Sequence, residues 1–137
     1  MKGEQAVTAG NCVSAGQTIR IYDLAERTAC FGEKIVSFAR TIKLDAVTRP
    51  LVSQVVRAGT SVGANYCEAD EAGSTKEFRY RISVCNREVR ETKHWLRMLA
   101  SAAPISKKTS RPLWKEAHEL NLNWLQPLDR LKLRSLG

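Results

Sequence analysis

Residues Gly59 to Gly63 read GTSVG, which fits glycine-any-serine-any-glycine, the sharp turn that exposes the catalytic serine of many hydrolases. That turn needs a strand before the serine. Here the preceding residues have a helical period instead. Leu51, Val52, Val55, Val56, Gly59, Val62, Gly63 and Tyr66 fall on one side of a wheel drawn at about 100° per residue. The two histidines, His94 and His118, lie in stretches with the same period, and no acid is placed to orient either. Ser61 is therefore expected not to be a nucleophile. A glycine inside a helix costs about 1 kcal/mol relative to alanine. Two of them four apart imply a compensating gain, which is the close approach of another helix.

Working outward, three further stretches carry the same signature. Leu24, Thr28, Phe31, Ile35, Phe38 and Ile42 step by four and three, a heptad stripe that a strand cannot produce. Asp23 with Glu26 is a capping box at its start. Leu44 to Arg49 reads as a connection, with Pro50 in the first turn of the GTSVG helix. After Gly73, Ser74 with Glu77 forms a second capping box, and Phe78, Ile82, Cys85, Val89, Thr92, Leu96 and Leu99 make the longest stripe. It predicts a helix over 75–101. Pro104 to Ser110 reads as a loop, and Pro112 as the opening of a last helix striped by Leu113, Ala117, Leu120, Trp124, Leu128 and Leu131. Pro127 is expected to kink or end that helix. Four amphipathic helices with short connections define an all-α chain, an antiparallel up-and-down four-helix bundle over residues 22–137. Residues 1–21 are small, polar and aperiodic, and are expected to form a disordered arm.

With 137 residues, 43% hydrophobic, the chain has room for one core and not for the large sheet of an elbow-type esterase. Cys12, Cys30, Cys67 and Cys85 form no CxxC pair, so a structural zinc site is not expected and reduced thiols are. There is no secretory signal and no apolar run of membrane-spanning length, which gives a cytoplasmic expectation and no membrane partner. Glu91-Thr92-Lys93-His94 matches the Glu-x-x-His of di-iron bundles, but in a single copy with His94 turned away from the stripe. Neither a metal nor another cofactor is expected.

The outer side of the GTSVG helix is unusual. Thr60, Ser61, Ala64, Cys67 and Glu68 lie within about 80° of Arg57, opposite the valines, where a surface helix normally carries long charged side chains. A helix uncharged on both faces implies burial on both, the second by another subunit. Charge on the third helix is also sorted: Lys76, Arg79, Arg87, Arg90, Lys93 and Arg97 cover one flank, and Glu77, Glu88 and Glu91 the other. Neighbouring copies pairing basic to acidic flank specify a ring. The formal charge of +8 favours an acidic partner, most simply nucleic-acid phosphate. Arg79, Arg87, Arg90, Arg97, Lys107, Lys108 and Arg111 are the candidate phosphate contacts, with Lys132 and Arg134 adding charge nearby. A solvated surface of weak ion pairs is the alternative.

Tyr22-Asp23-Leu24 with Glu26-Arg27-Thr28, then RAGTSVGANYCEADEA from Arg57 to Ala72, then STKEF and REVRETKHWLRML, resemble a four-helix-bundle family encoded in intervening sequences of bacterial 23S ribosomal RNA genes. The likeness spans about residues 22–102 and fades after Pro104. It implies a bundle that assembles as a homopentameric ring, in a family with no established catalytic activity. Its relatives include accessory proteins of diversity-generating retroelements, which bind nucleic acid and a reverse transcriptase. The family's characteristic positions fall here on Arg57, Ser61, Asn65, Tyr66, Glu68, Glu88, Glu91 and Trp95. From these readings the expected oligomer contacts are Arg57, Thr60, Ser61, Ala64, Glu68, Glu88 and Glu91. Two functions follow as expectations: a non-enzymatic oligomer that binds RNA or DNA electrostatically, or an adaptor that docks a reverse transcriptase or another nucleic-acid enzyme.

Overall fold

The heptad stripes become the core. A computed structural model of the chain describes residues 24–123. They form α1 (Leu24–Ala39), α2 (Thr48–Asp70), α3 (Thr75–Ala102) and α4 (Lys107–Asn123), with one 3-10 turn at Pro104–Ser106. No strand occurs among the described residues. All six residues of the first stripe, which runs past α1 to Ile42, and all seven of α3 are buried. Short turns reverse the chain between consecutive helices, each helix packs on the next, and α4 closes back on α1. The result is a four-helix bundle. The arm over residues 1–21, the Asp23 half of the first capping box, and Trp124, Pro127, Leu128, Leu131, Lys132 and Arg134 lie outside the described residues.

Helix ends follow local chemistry. Ser74 caps α3, its hydroxyl accepting the Glu77 N–H at 3.1 Å. The Glu77 carboxylate in return accepts the Gly73 N–H at 3.1 Å, one residue before the cap. At the start of α2 the Asp45 carboxylate accepts the N–H groups of Val47 and Thr48, both at 2.8 Å, while Thr48 Oγ1 accepts the Asp45 N–H. Those backbone bonds hold the Asp45 carboxyl below its ordinary range.

Two expectations fail here. The last helix begins at Lys107 and not at Pro112, which lies inside it. Ser106 and Ser110 are buried at steps of four and three before Leu113, so the stripe runs on through serines. Their hydroxyls donate to Ala103 O and Lys107 O, which satisfies them in place. A search for apolar residues therefore mistakes the first turn for a loop. Cys30 is disulfide-bonded, against the expectation of reduced thiols, whereas Cys67 and Cys85 are free.

The glycines of GTSVG mark the seam between α1 and α2. A β-carbon added at Gly59 would lie 2.8 Å from both Cγ1 and Cγ2 of Ile35, and one at Gly63 would lie 3.3 Å from the Thr28 carbonyl oxygen. A β-carbon at Gly32, across the same seam, would meet nothing nearer than 3.5 Å. Close packing set these residues. Gly59→Ala is expected to destabilise the fold by about 1–3 kcal/mol through overpacking, whereas Gly32→Ala is neutral or stabilising by up to about 1 kcal/mol. Urea denaturation of the two variants checks the contrast.

Candidate nucleic-acid interface

Residues 75–123 hold eleven Lys and Arg against five acids, Glu77, Glu88, Glu91, Glu116 and Glu119. Each acid is already engaged. Glu77 bonds the Gly73 N–H. Glu88 and Glu91 both bind the Arg57 guanidinium on α2. Glu116 receives Arg27 Nε at 2.8 Å and Nη2 at 2.7 Å, and Glu119 receives Nη2 at 2.9 Å. Arg27 is 3% exposed, and the Glu116 hydrogen bond holds its pKa above the usual arginine value against the opposing effect of burial. Arg27 of α1 and Arg57 of α2 thus take four of the five carboxylates of α3 and α4. Arg87, Arg90, Arg97, Lys107, Lys108, Arg111 and Lys115 make no ion pair among the described residues.

Part of this charge converges. Lys107, Arg111 and Trp114 follow one another at helical spacing on α4 and face Leu96, Arg97 and Ala100 of α3. Together with Ser110 and Lys115 they line a groove of about 360 Å³. Of the expected phosphate contacts, Arg97, Lys107 and Arg111 line this groove, while Arg79, Arg87, Arg90 and Lys108 are exposed elsewhere on the two helices. Sequence reasoning missed Trp114 and Lys115. The signal was there: Trp114 falls about 100° off the Leu113 stripe and is flanked by Arg111 and Lys115. A tryptophan outside the core stripe and between cations is an exposed aromatic.

The residues expected at an oligomer contact divide into two groups. Arg57, Glu88 and Glu91 bind one another within the chain. Thr60, Ala64 and Glu68 are exposed, and Ser61 is half-buried with its hydroxyl donating to Arg57 O at 2.6 Å. Thr60 and Ala64, with Gly63 and Cys67, form one wall of a groove of about 770 Å³ whose other wall, on α1, combines Ala25, Ala29 and Gly32 with Val36 and the charged Glu33 and Lys34.

The family model for the 23S rRNA-intervening sequence protein matches residues 19–123. The chain belongs to that family. A crystal structure from Bacteroides thetaiotaomicron VPI-5482, of a protein of unknown function from the S23 ribosomal protein family, has a similar fold. It is 23% identical, with a TM-score of 0.62 over 83% of this chain and 98% of that one. No curated protein sequence matches the chain.

In this member of the 23S rRNA-intervening sequence proteins, Ser61 sits mid-helix, with no strand before it. Burial pushes the Cys85 thiol and the Tyr66 phenol each up to about 12, so neither is an anion near neutrality. Glu91 is held by Arg57, and His94 turns outward against the edge of Trp95, so the Glu-x-x-His pair does not converge. No group of three His, Cys, Asp or Glu among the described residues is placed to hold a metal ion, and no described helix is long and apolar enough to cross a membrane.

Two outcomes follow. Arg27→Ala leaves Glu116 in a largely buried site without its cation, and is expected to cost about 3–5 kcal/mol in chemical denaturation. Tyr66 and Cys85 both have folded-state values above their unfolded ones, so the native state keeps protons that the unfolded chain releases. Their contribution is whole below about pH 9 and is lost as pH rises toward about 12. The melting temperature is expected to fall across that window, and by less in Tyr66→Phe.

Proposed function

We propose that the chain is a non-enzymatic, self-associating bundle that binds nucleic acid through the cationic face of α3 and α4. The observation that carries this reading is the groove rimmed by Arg97, Lys107, Arg111 and Lys115, whose neighbouring carboxylates are all engaged elsewhere. Unneutralised cations on one face attract phosphate, and releasing the counterions condensed on a nucleic acid drives association. Binding of this kind is weakly sequence-specific, because phosphate contacts position a strand without reading its bases.

Self-association is the second part of the proposal. The α1–α2 groove is lined largely by small residues, with Glu33, Lys34 and Val36 among them, a surface on which a helix of a second copy can pack. With Glu88 and Glu91 held by Arg57, contact between copies rests on this groove, with Thr60 and Ala64 in its wall and Ser61 and Glu68 beside them on α2, more than on flank-to-flank charge pairing. A pentameric ring is the form the family resemblance favours, and native mass measurement tests it.

One observation favours the adaptor reading. The α1–α2 and α3–α4 turns share an end of the bundle, and there Leu44, Val47 and Ile105 are exposed, Ile105 at 93%. An apolar tip of this kind fits a protein partner such as a reverse transcriptase.

A salt titration decides the leading reading. The logarithm of affinity for an RNA oligonucleotide is expected to fall linearly with the logarithm of salt concentration, and Arg97→Ala with Arg111→Ala to reduce that slope by about 1–2. An affinity unchanged from low to moderate ionic strength rejects it.

A further inference from the structure

We propose that Trp114 is a stacking platform for an unpaired base, so that the nucleic acid held in the α3–α4 groove is single-stranded there. This rests on the phosphate-binding reading of the same groove and names its ligand class more narrowly.

The ring is held firmly and from one side. His118, one turn along α4, stacks parallel to Trp114 at 5.3 Å between centroids and 7° between planes. Lys93 of α3 places its ammonium 4.5 Å from the Trp114 centroid and 3.0 Å from His118 Nδ1. As an ammonium has no acceptor, it donates to His118 Nδ1 as the bare nitrogen. Neither Lys93 nor His118 lines the groove, whereas Trp114 does. The ring is therefore braced on one side and turned to the groove on the other, and it is 39% exposed. A tryptophan in the core has no use for such bracing. A binding platform does, because a fixed ring loses little conformational freedom when a ligand arrives.

The groove combines two features that are seldom useful apart. Its floor is apolar, made by Leu96, Ala100 and Trp114, and its rim is Arg97, Lys107, Arg111 and Lys115. A flat, aromatic and anionic ligand matches both. At about 360 Å³ the groove is at the small end of ligand sites, which run from roughly 300 to 1,000 Å³. It takes one base and its sugar while the rim reaches the flanking phosphates. The interior of a duplex is excluded from the stack, since its base faces are already covered by their neighbours. Every base has a π-face, so the stack selects single strands without selecting sequence.

The test uses the full chain, short fluorescein-labelled oligo(U) and oligo(dT), and a blunt duplex of the same length. Trp114→Leu is expected to weaken binding of both single strands by about ten-fold or more and to leave duplex affinity and the salt slope unchanged. Trp114→Phe, which keeps a flat ring, is expected to restore most of the loss. Oligo(U) is expected to quench tryptophan emission in the parent chain and not in Trp114→Phe, a readout independent of whether the leucine variant folds. Single-strand affinity unchanged in Trp114→Leu, with no quenching in the parent, overturns the stacking proposal. So does equal weakening for single strand and duplex, or uridine monophosphate binding as tightly as oligo(U). If Arg97→Ala with Arg111→Ala loses single-strand binding while Trp114→Leu keeps it, stacking fails and the phosphate reading stands. If the arginine variant loses nothing, the phosphate reading itself fails.

Discussion

A buried guanidinium cannot be left without carboxylates, and Arg27 is the point on which the bundle closes. It reaches from α1 to Glu116 and Glu119, with the Glu116 side chain 12% exposed. On the α4 wheel Glu116 and Trp114 flank the Leu113 stripe on opposite sides, about 160° apart. Holding Glu116 against α1 therefore fixes the rotation of α4 and turns Lys107, Arg111 and Trp114 toward α3. The clasp and the basic groove are two sides of one helix, set by one interaction. Burial makes this pair a constraint more than a source of stability, because two desolvated charges recover little net energy but tolerate no loss of either partner.

The Arg57 cluster acts differently. Its guanidinium and Glu91 are both partly exposed, so the pair they make contributes below about 1 kcal/mol to stability. Its consequence is in the field around the molecule. By drawing Glu88 and Glu91 toward α2 it removes from α3 the carboxylates that would screen Arg87, Arg90 and Arg97. Weak pairs on one side of a helix thus leave the other side strongly positive, and a potential of that kind acts on an approaching polyanion within about a Debye length, roughly 8 Å at physiological salt.

Legibility in the sequence followed the length scale of the signal. Stripes on α1 and α3 were readable because long helices repeat their core residues many times, and the Ser74 cap because side chain and backbone satisfy each other within three residues. The glycine seam was readable as well, since a cost in helix propensity at Gly59 and Gly63 must have a structural return. What escaped depends on distant partners or on polar residues in apolar positions. Ser106 and Ser110 continue a core stripe under polar side chains, so α4 began later on paper than in space. Nothing near Arg27 in the chain announces Glu116 and Glu119. Of the site, Arg97, Lys107 and Arg111 were found individually and Lys115 was not. Their convergence on Trp114 depends on the register of α4 against α3, which no local pattern encodes.

The two grooves lie on different pairs of helices, and this separation makes the proposed assembly and the proposed ligand compatible. The small-residue groove belongs to α1 and α2, and the cationic groove to α3 and α4. A second copy seated on the first leaves the second open. Repetition around a ring would then present several cationic grooves at fixed spacing to one strand, and each further contact made by a strand already bound is intramolecular. A weak site on one chain, with four cations and one aromatic ring, becomes a strong one by repetition. Self-association would supply affinity that a groove this small cannot supply alone.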